Sequence, residues 1–546
     1  MKRRIKHDGY GFTVFALIAG LAIIVPLLFI LRHVFEPSTD AWRHIRQIWL
    51  TTYIRNTVVM IFWTALGTAV IGTYAAVLTT RYTFLGVRWF KWMLVLPLAV
   101  PSYIAGYVYA DMLSYTGTIT RFLRGLSLPQ PLQPMTMTGA ILIFVFTLYP
   151  YVYLFVQAAL KRQSASYAES ALTLGVSPFR AFFLVVLPLL RPALVGGVFL
   201  VVLETLNDYG LVAYFNVRVF SFAIFNAWFS FGEVVTAIRL SAVLLVMVFV
   251  LIVLERILRG DRRYTFHVKG RSITPRPLKG FWRFVHPVCL MLILGFGFLF
   301  PTLQLIYYAR LTWRNTVNIN LLYDVLNTLT IALSSTALIV VIALMLANFG
   351  RFRPRGWKRA WLKATTLGYA IPGAVIAIAV NLFFIAIDRR LFPLYRWLDS
   401  SAPVLLLSMS LGMLVFAYIL RFMAIGYNSI EAGYDKLGET FTEAAYTLKH
   451  RKLATLIKID VPLLKSSLFA AAVIVFIDVV KELPLTLILR PANYDTLASR
   501  IYEYASDEMI QTTGVASLVL IMLSASLIYI LSGPKKRGRS NYVRPY

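Results

Sequence analysis

Four carboxylates stand out in this sequence because of where they fall. Glu204 and Asp208, and again Asp478 and Glu482, are spaced i, i+4 near the ends of long apolar runs. That spacing puts each pair on one helix face, provided the helix continues that far. Ionisable groups at membrane depth are costly and read as functional by default. Their oxygens suit a hard cation such as Fe3+. No soft ligand set competes, since Cys289 is the single cysteine and reads as small apolar packing. A structural reading stands beside the functional one. Asp478 lies i, i+3 from Lys481 and can pair with it, and Asp208 can cap a helix beside Tyr209 and Gly210.

Residues for other chemistry do not assemble. There is no Gly-Lys dipeptide, so no phosphate-cradling Gly-x4-Gly-Lys-Ser/Thr loop. His7, His33, His44, His267, His286 and His450 form no His-Glu-x-x-His pattern, and no Gly-x-Ser-x-Gly elbow occurs. The chain reads as a non-enzyme with no cofactor of its own and no tightly bound metal.

The elements that position the carboxylates follow from composition. Of 546 residues, 59% are apolar or aromatic and 14% charged, with mean hydropathy +0.72. That is too little charge to coat soluble domains of this total length, and it excludes disorder and a disulfide scaffold. An all-α integral membrane protein is expected. Spans of about 20 apolar residues are predicted at 12–31, 56–80, 90–110, 137–160, 182–203 and 238–257, then at 285–308, 328–348, 362–387, 403–425, 467–489 and 513–532. Pro26, Pro97, Pro101, Pro150, Pro301 and Pro372 mark expected bends. The first span, after Met1-Lys-Arg-Arg-Ile-Lys, reads as an uncleaved anchor. With the N-terminus in the cytoplasm, 38 of the 54 Lys and Arg fall on the inner side. This predicts a multi-pass inner-membrane protein with both termini cytoplasmic. The +30 net charge is then a topology and lipid signal rather than a nucleic-acid footprint.

The two sets of six spans repeat. Leu187-Pro188 and Val461-Pro462 lie 274 residues apart, as do Glu204 and Asp478, while Asn56 and Asn327, and Pro101 and Pro372, lie 271 apart. Six spans per copy make the repeats parallel, related by an axis along the membrane normal that can hold a shared pathway. The expected divisions are a first repeat at 1–260, a basic linker at 261–283 and a second repeat at 284–546.

Between the fourth and fifth spans of each copy runs a regular loop, YAESALTLGVSPFRAFFLVVLPLLRP in the first and FTEAAYTLKHRKLATLIKIDVPLLKS in the second. From Glu169, Ala171 follows at +2, Gly175 at +6 and Pro188 at +19. From Glu443, Ala445, Lys449 and Pro462 follow at the same offsets. The Glu-Ala stretch predicts a short helix, and Gly175 suits a left-handed turn that ends it. Lys449, in place of that glycine, predicts a looser second turn. A single amphipathic helix could carry such spacing by chance, but its return at the equivalent place argues otherwise.

This spacing resembles the EAA loop of permease subunits in ABC importers. The segments LETLNDYGLVAYF and KELPLTLILRP, which follow the fifth and eleventh spans, resemble the fused permeases of ferric-iron ABC importers. The resemblance covers nearly the whole chain and is weakest in the first span, linker and tail. It implies a type I importer fold of about twelve transmembrane helices. It also implies docking of the two loops on two copies of an ATP-binding subunit that uses ATP and Mg, and a periplasmic binding protein that delivers ferric iron. Thiamine, polyamines, phosphonates and sulfate are the alternative cargoes. A twelve-span secondary transporter is the rival machine, but it gives no reason for the paired loops. Arg218, Arg490 and Arg500, in equivalent outer segments, are candidate docking residues for an acidic binding protein.

Overall fold

The computed structural model describes residues 10–37, 39–127, 133–162, 170–171, 173–260, 274–351, 356–438, 440–448 and 450–532. Among these, ten helices are long and apolar enough to cross a bilayer. They are Gly11–Val34, Asp40–Arg81, Met137–Arg162, Pro178–Asn207, Val234–Arg259, Trp282–Thr316, Ile319–Gly350, Leu411–Leu437, Lys452–Lys481 and Ile510–Leu531. The pair Val87–Ala99 and Ser102–Met112, bent by 88° at its break, takes the place of the expected third span. Gly373–Leu398 takes the place of the expected ninth span, although Asp388, Arg389 and Arg390 interrupt its apolar run. Each of the twelve expected spans therefore has a helical counterpart, but the third and ninth are not continuous.

The break in these two spans has one cause and one geometry. A proline lacks the N–H that would continue the ladder and pushes its predecessor out of the helical region. Val100 is extended (φ −97°, ψ 109°) before Pro101, and Ile371 (φ −90°, ψ 127°) before Pro372. A 3-10 turn precedes each break, at Leu96–Ala99 and Leu367–Ala370. A fresh helix starts after it at Ser102 or Gly373.

Two other expectations are corrected. The eleventh span does not run over 467–489; it occupies Lys452–Lys481, and the chain is extended at Glu482 before a short helix Pro484–Leu489. The fifth ends likewise at Asn207, with Asp208 extended (φ −68°, ψ 120°). Glu204 and Asp208 therefore do not share a helix face. Pro188 and Pro462 do not interrupt their helices either. Each sits directly after a π turn, Phe182–Val186 or Leu456–Asp460, which lets the helix pass a residue that cannot donate a backbone bond.

On the face opposite the Glu-Ala loops, each repeat folds back through a helix tied to its second span. The Asn56 side chain donates to the Arg218 carbonyl at 3.0 Å, and Phe220 N–H donates to Thr57 Oγ1 at 3.2 Å. Asn327 donates to the Asp495 carbonyl at 3.0 Å, and Leu497 N–H to Thr328 at 2.8 Å. A left-handed asparagine, Asn216 (φ 51°) or Asn493 (φ 61°), precedes each bond set, a conformation that residue tolerates well.

The repeats also clasp one another. The first span packs on Gly373–Leu398, and Trp361 Nε1 donates to its Ala16 carbonyl at 2.9 Å. Trp361 thus clasps the two repeats together. Trp282–Thr316 packs on the third span, where Tyr109 donates to the Phe296 carbonyl and Tyr308 to Asp111. The two-residue strands Tyr82–Thr83 and Arg276–Pro277 pair in parallel, fastening the end of the linker to the first repeat.

Thr57→Val and Thr328→Val should each leave a buried N–H unpaired at nearly constant shape, a loss of about 1–3 kcal/mol. Thermal unfolding of the detergent-solubilised protein should move down in both variants, and by similar amounts.

Candidate functional site

All four carboxylates meet at one cavity of about 90 Å3 where the repeats adjoin. Leu98, Val100 and Pro101 from the break in the third span line it, with Ser102, Tyr103, Thr147, Tyr151, Asn207 and Tyr209. The second repeat contributes Arg421, Phe422, Lys481, Leu483 and Pro484 beside Asp478 and Glu482.

The carboxylates do different work. Asp208 Oδ1 accepts from Leu211 N–H at 2.8 Å, and Glu482 Oε1 accepts from Leu485 N–H at 3.2 Å. Each caps the short helix beyond its span, Gly210–Tyr214 or Pro484–Leu489. The capping alternative for Asp208 is what the structure adopts. Glu482 also faces Arg421 Nε at 3.3 Å, with both side chains buried. Asp478 pairs with Lys481 at 3.5 Å. Glu204 has no such cation and accepts from the Tyr369 hydroxyl at 2.6 Å, across the repeat boundary.

The backbone is duplicated here but the charge is not. Lys481 and Arg421 occupy the places of Asn207 and Thr147, 274 residues earlier. In the first repeat Thr147 bonds Ser102 at 3.2 Å; in the second the place of Ser102 is taken by Gly373. A Cβ there would lie 3.0 Å from Glu482 Oε1 and 3.1 Å from Arg421 Nη1, so glycine makes room for the ion pair. Spacing and motif do not single out Arg421, Tyr369, Asn207 or Tyr103. The available signal was an arginine inside an apolar span.

The Glu-Ala loops take the same turn in both copies. Leu174 N–H bonds the Ser170 carbonyl and Val176 N–H that of Ala171; Leu448 bonds Ala444 and His450 bonds Ala445, all at 3.1 Å. Gly175 is left-handed (φ 79°), as its spacing predicts. Glu169 and Lys449 lie outside the described residues, and with Lys449 the expected looser second turn. Glu443 is exposed on the helix Thr440–Thr447. Ala171 and Ala445, 8% and 2% exposed, are buried within this chain. Their side chains therefore pack inside the chain rather than on its surface.

Asp460, which departs from the loop pattern, explains how the second helix is held. It is 1% exposed, pairs with Arg351 at 2.7 Å and accepts from Thr442 at 3.2 Å. Asn348 and Tyr434 stand at 3.4 and 3.5 Å. The first copy has Val186 at that place.

The candidate docking arginines divide. Arg490 pairs with Asp495 and Glu503, and Arg500 with Asp324 at 3.0 Å, Asp495 at 2.7 Å and Glu503 at 3.1 Å. Both are spent on an internal network that fastens Leu497–Ser506 to Ile319–Gly350, so neither offers a free cation. Arg218 is exposed, with its guanidinium 4.3 Å from the Trp49 ring.

Ten apolar crossings, two proline-broken spans and paired helix-turn loops define a duplicated, polytopic transport subunit. The chain belongs to the binding-protein-dependent transport system inner membrane component family, whose model matches twice, over residues 88–264 and 339–535. It is a multi-pass inner-membrane permease. It is 24% identical over 537 residues to the Fe(3+)-transport system permease protein FbpB 2 of Haemophilus influenzae, covering 96% of this chain and 98% of that one. The ferric transport system permease protein FbpB of Actinobacillus pleuropneumoniae is 22% identical over 520 residues, 89% of this chain and 72% of its own. The sulfate transport system permease protein CysT of Escherichia coli is 29% identical over 195 residues, 36% of this chain and 69% of its own.

Removing one partner of the buried Arg351–Asp460 pair leaves an uncompensated charge, a cost of about 3–5 kcal/mol. Arg351→Met should lower the unfolding temperature well beyond the threonine variants above, and Arg351→Met with Asp460→Asn should recover much of the loss.

Proposed function

We propose that this chain is the permease subunit of an ATP-driven, binding-protein-dependent importer that carries ferric iron. The observation that carries the reading is the convergence of Glu204, Asp208, Asp478 and Glu482, one pair from each repeat, at a cavity beside both repeats' broken or ended spans. Hard oxygens on several groups offer a cation weak, multiple contacts, which permit entry without retention. The relatives matched over most of this chain are named for Fe(3+) or ferric transport. The sulfate relative spans about one repeat, and a dianion would meet a wall in which carboxylates outnumber cations.

ATP hydrolysis belongs to two copies of a separate ATP-binding subunit, one on each Glu-Ala loop. Glu169 and Glu443 belong to the contacting segments, Ala171 and Ala445 pack within the chain beside them, and Gly175 and Lys449 follow six residues after each glutamate. Pro188 and Pro462 sit where the following spans enter the membrane. The loop face and both termini are cytoplasmic, with the linker 261–283 on that side. A periplasmic binding protein docks on the opposite face, with Arg218 as its free cation. ATP and Mg act only in the partner.

The test is uptake of 55Fe by proteoliposomes holding the chain, its ATP-binding subunits and an iron-loaded binding protein. Glu204→Gln with Asp208→Asn keeps both hydrogen-bond acceptors while removing charge, and should lower uptake at least tenfold; parental uptake would refute the pathway. Ala445→Leu should unseat its short helix and lower transport-coupled ATP hydrolysis severalfold. A purified complex with one ATP-binding subunit per chain would contradict the paired-loop reading.

A further inference from the structure

The two cations of the cavity each pair with a carboxylate, and Lys481 is the more informative. Its ammonium lies 3.5 Å from Asp478 and donates to the Leu98 carbonyl at 3.2 Å. Leu98 belongs to the 3-10 turn that precedes the break in the third span of the other repeat. One side chain therefore ties the end of the eleventh span to the discontinuity of the third, across the repeat boundary. The first repeat makes the corresponding tie without a charge: Asn207 stands in that place, and its Oδ1 accepts from Gly373 N–H, just past the break in the ninth span, at 2.7 Å.

The cavity also contains a group awaiting a partner. Tyr103, 4% exposed, lines the same space, and its hydroxyl has no hydrogen-bond partner among the described residues. A buried hydroxyl without a partner costs free energy that a ligand can recover. Among the described residues, no three His, Cys, Asp or Glu side chains are grouped to hold a metal ion. The resting arrangement thus has the oxygens of a hard-cation site, an orphan hydroxyl and a protein ammonium among them.

We infer that the ammonium of Lys481 stands in the cargo's place in the resting cavity, a tethered cation that closes the pathway across the two repeats and is displaced when a hard cation enters. The inference rests on the cation-cargo reading above. A lysine suits this task because its charge is compact and its stem flexible, so it can withdraw along its own chain. Arg421 differs: its guanidinium is buried against Glu482, in the room that Gly373 leaves. It belongs to the fixed wall.

Tb3+ is a suitable probe, being a hard trivalent ion whose emission tyrosines sensitise, and Tyr103, Tyr151 and Tyr209 line the cavity. In the full complex with its ATP-binding subunits in lipid nanodiscs, Lys481→Gln should give sensitised emission at a Tb3+ concentration at least tenfold lower than the parent. Lys481→Arg should titrate like the parent, and adding Glu204→Gln to Lys481→Gln should remove the gain. A Lys481→Gln complex that binds no better than the parent overturns the inference, as does a gain that survives Glu204→Gln. The unsubstituted complex gives a second reading. Tb3+ should speed acylation of the Lys481 amine at least fivefold, followed by peptide mass spectrometry, and an unchanged rate overturns the displacement. Both measurements are independent of 55Fe uptake, so a different natural cargo would remove the ferric reading without deciding the fate of Lys481.

Discussion

A helix that ends inside a bilayer leaves backbone groups that no water can satisfy, and the central architecture answers that constraint. The fifth and eleventh spans stop at Asn207 and Lys481, and the third and ninth break before Pro101 and Pro372. Each end is repaired by side chains drawn inward for the purpose. Asp208 and Glu482 cap the helices that follow, and Asn207 receives the Gly373 N–H at the start of the renewed ninth span. The carboxylates are thus required by the backbone before any cargo is considered. Placing them where two pairs of helix ends meet makes a polar cavity at the boundary of the repeats.

Duplication supplied the scaffold twice, and substitution then made the two copies unequal. The backbone breaks, the π turns before Pro188 and Pro462, the left-handed asparagines and the Asn-Thr ties recur nearly atom for atom. The charges do not recur. Lys481, Arg421 and Asp460 replace Asn207, Thr147 and Val186. The second repeat therefore holds its carboxylates with its own cations, whereas Glu204 in the first relies on the Tyr369 hydroxyl. Pairing a buried charge rigidifies its neighbourhood because separating the partners exposes both to a medium that solvates neither. The second repeat is the stiffer wall on this account, and the first is the more open to a visiting cation.

The loop face and the cavity are joined by single rods. Pro178–Asn207 and Lys452–Lys481 each begin beside a Glu-Ala turn and end at the cavity. Thirty helical residues span about 45 Å at 1.5 Å per residue. A movement of the short helix, seated through Ala171 or Ala445, has a continuous path to Asp208 or Glu482. A π turn, Phe182–Val186 or Leu456–Asp460, lies near the start of each rod.

Among the described residues, hydropathy alone placed ten spans, because a bilayer demands a continuous apolar run whatever its neighbours are. Repeat offsets paired Glu204 with Asp478, and Gly175 announced its turn, since only a residue without Cβ takes that conformation freely. Helix ends were less legible. Periodicity carries the eleventh span through 489, whereas Glu482 captures the Leu485 N–H and stops it at Lys481, a competition decided by a side chain. Charge partners were invisible for a related reason. Arg500 meets Asp324, 176 residues away, and Arg351 meets Asp460, 109 away. Whether an arginine waits for a partner protein or serves its own fold depends on what the tertiary structure brings within about 4 Å of it. The sequence by itself determined that these carboxylates exist in duplicate at membrane depth. Only the packing of one repeat against the other decided which of them meet a cation of the protein's own, because the electrostatic energy of a buried group depends on distances that chain order does not specify.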